Sequence, residues 1–67
     1  MENKDKICKL LLPVLQETRN LHDLTNLEYK PVEEAVVATF ESGYKKTANV
    51  AMDSGTAMIQ DILRQIV

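Results

Sequence analysis

Apolar residues in the first third of the chain recur at the three- and four-residue spacing of an α-helix. The predicted helix runs from about Asp5 to Asp23, and its apolar face is about 160° wide, against roughly 100° for a helix with one neighbour. The face comprises Ile7, Leu10, Leu11, Val14, Thr18 and Leu21, and it is widened by Cys8 and Leu15. Because this face keeps its phase across Pro13, the sequence predicts a kink at Pro13 rather than a break.

A similar stripe follows in the second half of the chain, after a connection at residues 24–30. Apolar residues step by four from Val32 to Tyr44, and the C-terminal residues continue nearly the same face. The stripe consists of Val32, Val36, Phe40, Tyr44, Ala48, Ala51, Gly55, Met58, Ile62 and Ile66. Pro31 suits the first position of this helix. A break is predicted near Gly43, followed by a helix that continues through Gly55; the second possibility is that Ser54 caps a helix beginning at Gly55.

These patterns predict an all-α fold. Residues 1–67 are expected to form a single small domain, a helical bundle of two or three helices whose first helix is kinked at Pro13. Whether residues 31–67 form one helix or two is left open by the pattern. A chain of 67 residues buries only about 60% of the surface that it exposes when unfolded. We therefore expect self-association to complete the bundle.

Composition removes the other means by which small domains are stabilised. With one cysteine, Cys8, and one histidine, His22, the chain can form neither an internal disulfide nor a zinc tetrad. No cofactor and no metal are predicted. A lone free thiol suits a reducing cytoplasm, which is the expected location. No apolar run approaches the roughly 18 residues that a membrane span needs, so no membrane association is expected.

Catalytic chemistry is also not predicted. His22 has no candidate nucleophile near it, and a general base needs a positioned partner. Glu33 and Glu34 would point about 100° apart on a helix, so they do not form a catalytic carboxylate pair. The chain contains no glycine-rich phosphate loop. The sequence therefore favours a protein that is not an enzyme.

The leading interpretation is a non-enzymatic protein-interaction module that self-associates, most simply as a homodimer. The first helix has an apolar face too wide for one neighbour, and the last helix has apolar residues outside its main stripe. The predicted interface consists of Ile7, Leu11, Leu15, Ile59, Ile62, Leu63 and Ile66. A further, unidentified protein partner is compatible with the same surface.

The alternative is a small DNA-binding accessory protein with a degenerate helix-turn-helix around Gly43. Lys45, Lys46 and Asn49 would lie at the start of its second helix, where DNA-reading helices carry such residues. The net charge of −2 disfavours a nucleic-acid partner, because these binders usually carry a basic surplus. Self-association therefore remains the preferred interpretation.

Overall fold

A computed structural model describes residues 3–66 and shows an α+β fold, so the all-α prediction and the helical bundle are wrong. The elements in chain order are α1 (Lys4–Gln16), a short 3-10 helix (Arg19–Leu21), β1 (Leu24–Lys30), β2 (Ala35–Phe40), β3 (Lys45–Asn49) and α2 (Gly55–Ile66). The three strands form one antiparallel sheet in the order β1-β2-β3. The connection predicted at residues 24–30 is the first edge strand.

Two residues of the stripe that predicted a helix in the second half of the chain, Val36 and Phe40, lie on strand β2. A spacing of four places Val36 and Phe40 on one face of a helix, but it is also twice the two-residue period of a strand. The residue between them, Ala38, is buried as they are, whereas Val37 and Thr39 are half-buried, which is the alternation of a strand. β-branched residues pack well on a pleated surface, and here they outweigh the helix preference of their neighbours.

An irregularity in β1 hides the same alternation. Leu24 pairs with Phe40 and Asn26 pairs with Thr39, so Thr25 is an extra residue on β1. A bulge of this kind moves the following residues to the opposite face. The buried positions accordingly change from Leu24 to Leu27, and a two-residue period cannot be read across the break.

Turns replace two of the predicted helical segments. Residues 31–34 connect β1 to β2, so the prediction of a helix beginning at Pro31 is wrong, and Glu34 lies at a φ of 50°. Gly43 lies at a φ of 89° between β2 and β3. The break expected near Gly43 is thus present, but strands flank it.

Both helices have identifiable starts. The Asn3 side chain accepts a hydrogen bond from Lys6 N at 3.0 Å and caps α1. Pro13 lies inside α1, as predicted, although the helix ends at Gln16 rather than near Asp23. The backbone N of Ala57 donates to Ser54 Oγ at 3.2 Å, so a helix that begins at Gly55 is confirmed and a helix that continues through it is wrong.

Both helices pack on the same face of the sheet, α1 against β1 and α2 against β3. The buried residues of this face and of the two helices form one continuous core. It comprises Cys8, Leu15, Leu21, Leu24, Leu27, Val36, Ala38, Phe40, Ala48, Val50, Met58, Ile62 and Ile66. The middle strand therefore contributes to the core without a helix of its own above it.

Candidate functional site

An apolar groove of about 290 Å³ separates the two helices. It opens because α1 lies over one edge strand and α2 over the other, which leaves the helices apart above the middle of the sheet. Its walls are the side chains of Ile7, Leu10, Leu11, Val14 and Ile59. All five are aliphatic, so the groove offers burial of apolar surface rather than hydrogen bonds.

Several large apolar side chains at this groove are exposed. Leu10 is 62% exposed and Val14 is 61% exposed, and they are one helical turn apart on α1. Leu63, at 43% exposed, follows Ile59 by one turn on α2. We call Leu10, Val14 and Leu63, with the half-buried groove residues Ile7, Leu11 and Ile59, the helical apolar surface. Clustered exposed apolar side chains mark interaction sites in soluble proteins, whereas single ones need no explanation.

The seven predicted interface residues are divided between this surface and the core. Ile7, Leu11 and Ile59 line the groove, and Leu63 is an exposed residue one turn after Ile59 on α2. The other three residues, Leu15, Ile62 and Ile66, are buried inside the chain. The apolar stripe of each helix faces the sheet, so the residues at the centre of the stripe are buried against it.

Leu10 and Val14 were included in the predicted apolar face of the first helix but not in the predicted interface. Pro13 lies between them and is itself exposed. On a helical wheel Leu10 lies about 140° from the buried Leu15, at the far edge of the stripe. Apolar residues at the edge of a helical stripe, away from its centre, are candidates for an exposed surface. This criterion would have identified both Leu10 and Val14.

The alternative site around Gly43 has a different geometry from the one expected. The helix-turn-helix is wrong, because Gly43 lies in the turn between two strands and Lys45, Lys46 and Asn49 lie on β3. Lys45 is exposed, but Lys46 extends along the inner side and donates from Nζ to the backbone O of Ile66 at 3.2 Å. The three side chains are therefore not presented together on one surface.

A second cleft, of about 320 Å³, lies where the 3-10 helix, the β2–β3 turn and the end of α2 meet. Its polar lining is Asn20, Asp23, Ser42, Tyr44 and Lys46. Two of these groups already make structural hydrogen bonds: the backbone N of Tyr44 donates to Ser42 Oγ at 3.3 Å, and Lys46 is held on the last turn of α2. The cleft thus combines an aromatic wall with polar groups that stabilise the turn.

Neither the thiol of Cys8 nor the imidazole of His22 lines the groove or the second cleft. Cys8 is buried in the core, and burial together with the nearby charge of Asp5 raises the pKa of its thiol from 9.0 to about 11. His22 is exposed, and its Nδ1 lies 2.9 Å from the backbone O of Arg19. Within residues 3–66 there is no group of three or more His, Cys, Asp or Glu side chains able to hold a metal ion. In the same residues, no helix has the length and apolar character needed to cross a membrane.

No family model matches the chain, and no curated protein and no solved structure matches it at a significant level. The helical apolar surface is the feature of the chain's own residues that bears most directly on function.

Proposed function

We propose that this chain is a non-enzymatic protein-interaction module that self-associates, most simply as a two-fold dimer, through the helical apolar surface. The observation that supports the proposal is the exposure of Leu10, Val14 and Leu63 around a groove lined only by aliphatic side chains. A second copy of the chain offers the same surface and is self-complementary to it in chemistry. The reduced, buried Cys8 fits a protein that works in the cytoplasm.

A stable dimer requires that the free energy gained by apolar burial exceed the free-energy cost of association. Fully burying an aliphatic side chain stabilises by about 1.5–3 kcal/mol. Leu10, Val14 and Leu63 are only about half exposed, so burying the rest of these three side chains in each copy gains about 5–10 kcal/mol. This gain exceeds the lower estimates of the association cost, about 4 kcal/mol. The upper end of the difference, about 6 kcal/mol, corresponds to a dimer that forms at tens of micromolar.

Nucleic acid is not the partner that we propose. The net charge is −2, and the lysines of the alternative site are divided, with Lys46 used on the end of α2. Binding to phosphates depends on clustered positive charge. A titration with duplex DNA at low salt is a simple check, and we expect no binding in the micromolar range.

The test of self-association is the solution mass of the full chain by sedimentation velocity across a concentration series up to tens of micromolar. Leu10→Asp and Leu63→Asp should each produce monomers while keeping the far-ultraviolet circular dichroism spectrum, because both side chains are exposed. Val32→Asp is the matched control, since Val32 is 91% exposed in the β1–β2 turn. A wild-type chain that stays monomeric at these concentrations contradicts the proposal, as does a dimer that both helix variants leave intact.

A further inference from the structure

We infer that the two copies pack α1 against α1 in antiparallel orientation about a two-fold axis, with Lys6 of each copy paired with Glu17 of the other. This inference rests on the proposed self-association and adds its geometry. Leu10 and Val14 lie between the two charged residues along the helix, so the apolar contact is enclosed by an ion pair at each end.

Lys6 and Glu17 lie on one flank of the exposed apolar stripe. They are eleven residues apart, which corresponds to about 20° of rotation on a helical wheel and about 16 Å along the axis. Both side chains are exposed, and Leu10 follows Lys6 by one turn on the same side of α1. The distance along the helix is too long for the two side chains to meet within one copy.

The positions of Lys6 and Glu17 on one flank favour the antiparallel arrangement, whose two-fold axis is perpendicular to the helices. In a symmetric antiparallel pair of helices, each flank faces the same flank of the partner in reverse order. Lys6 then comes beside Glu17 of the second copy, with Leu10 and Val14 near the axis. In a parallel pair, whose two-fold axis runs along the helices, each flank faces the opposite flank of the partner, so Lys6 and Glu17 would not come beside each other.

The helix dipole provides a second, independent argument. Lys6 lies in the first turn of α1 and Glu17 is its C-terminal cap, so each charge is at the end of the helix where the opposite sign is favoured. In the antiparallel pair, Lys6 comes near the C-terminal end of the partner helix and Glu17 comes near its N-terminal end. The dimer thus relieves an electrostatic arrangement that is unfavourable in the isolated helix.

The inference is tested by exchanging the two charges. Lys6→Glu and Glu17→Lys should each raise the dissociation constant of the dimer by about three- to tenfold at low salt, because each converts two attractive contacts into two repulsive ones. The double variant should return to within about twofold of the wild type, since it restores both pairs. Added salt should reduce the differences among the variants.

The design separates interface effects from folding effects. Each single substitution places the favoured sign at its end of the helix, so neither should lower the thermal stability of the monomer at high dilution. Lys45→Glu is the matched control for Lys6→Glu, because it makes the same change in net charge on an exposed strand residue and should not alter the dissociation constant.

Three results are decisive. Recovery of dimerisation in the double variant, with the control unchanged, supports the antiparallel pair. Absence of recovery, in a chain whose dimer is still dissociated by Leu10→Asp, overturns the antiparallel pair and leaves the proposed self-association intact. A wild-type chain that is monomeric throughout the concentration series overturns both.

Discussion

The side-chain amide of Gln65 makes two hydrogen bonds with the backbone of Asn49. The backbone N of Asn49 donates to Gln65 Oε1 at 3.0 Å, and Gln65 Nε2 donates to the backbone O of Asn49 at 3.2 Å. Asn49 is the last residue of β3, an edge strand of the sheet. The amide of Gln65 therefore substitutes for a neighbouring strand at this position and joins α2 to the edge that it covers.

Removing this amide should weaken the attachment of α2 to the sheet. We expect Gln65→Ala to lower the free energy of unfolding by about 1–2 kcal/mol, since a typical hydrogen bond contributes about 0.5–1.5 kcal/mol. Urea denaturation measures the change, and Gln60→Ala, an exposed position on the same helix, serves as the control and should be nearly neutral. Equal stability of the two variants would show that the amide pair contributes nothing.

The turn between β2 and β3 depends on the backbone of Gly43. Its φ of 89° is disfavoured for residues with a Cβ, and an added Cβ would meet no atom within 4 Å. Gly43→Ala should therefore cost about 1 kcal/mol through backbone strain alone, and Gly43→Asn should cost less because Asn tolerates positive φ. Thermal melts of the two variants provide the measurement. The account is wrong if Ala is as stable as Gly at this position.

Secondary structure could be predicted from the sequence where the spacing of apolar residues fits only one kind of element. The stripe of α1 spans three turns and keeps its phase across Pro13, so the helix and the position of Pro13 could be predicted. The spacing of four between Val36 and Phe40 fits a helix and a strand equally well. Flanking residues such as Glu34 favour helix, and the prediction of a helix here was wrong. The bulge at Thr25 then removed the alternation that would have revealed β1.

The candidate site was predictable only in part, because the apolar face of a helix does not say which of its residues a sheet will cover. In the all-α prediction, Leu15 and Ile62 were free to contact a second chain. The sheet that the prediction lacked buries both of them and leaves Leu10 at the edge. The exposed and the buried residues of a helix can therefore be distinguished only when the sheet on which the helix packs is known.

Burial should make Cys8 unreactive in the folded protein. The thiol is 1% exposed and its pKa is raised to about 11, so little thiolate is present near neutral pH. We expect modification by a thiol reagent at about pH 8 to proceed only as fast as the chain opens, and to accelerate in denaturant. Ser42→Cys in a Cys8→Ala background, an exposed position, should react within the mixing time. Rapid modification of native Cys8 would contradict its placement in the core.

The last prediction concerns the carboxyl groups of Asp53 and Asp61. Asp53 precedes α2, and the neighbouring carboxyl group of Asp61, together with partial desolvation, raises the pKa of Asp53 above its ordinary value of 3.8. Asp61 Oδ1 also lies 3.3 Å from the Arg64 guanidinium. As the pH falls, Asp53 therefore takes up a proton at a higher pH than an ordinary aspartate does.

The sign of the stability change follows from this raised pKa. Below the ordinary pKa both folded and unfolded chains carry a protonated Asp53, whereas above the raised pKa the folded chain must hold a second carboxylate beside Asp61. The stability contributed by protonated Asp53 is thus lost as the pH rises through its raised pKa. Asp53→Asn should be more stable than the wild type at pH 7, and this advantage should shrink as the pH is lowered toward 3.8. Urea denaturation over this pH range makes the comparison, with Glu41→Gln as an exposed control for charge. An advantage independent of pH, or a less stable variant at pH 7, contradicts the raised pKa of Asp53.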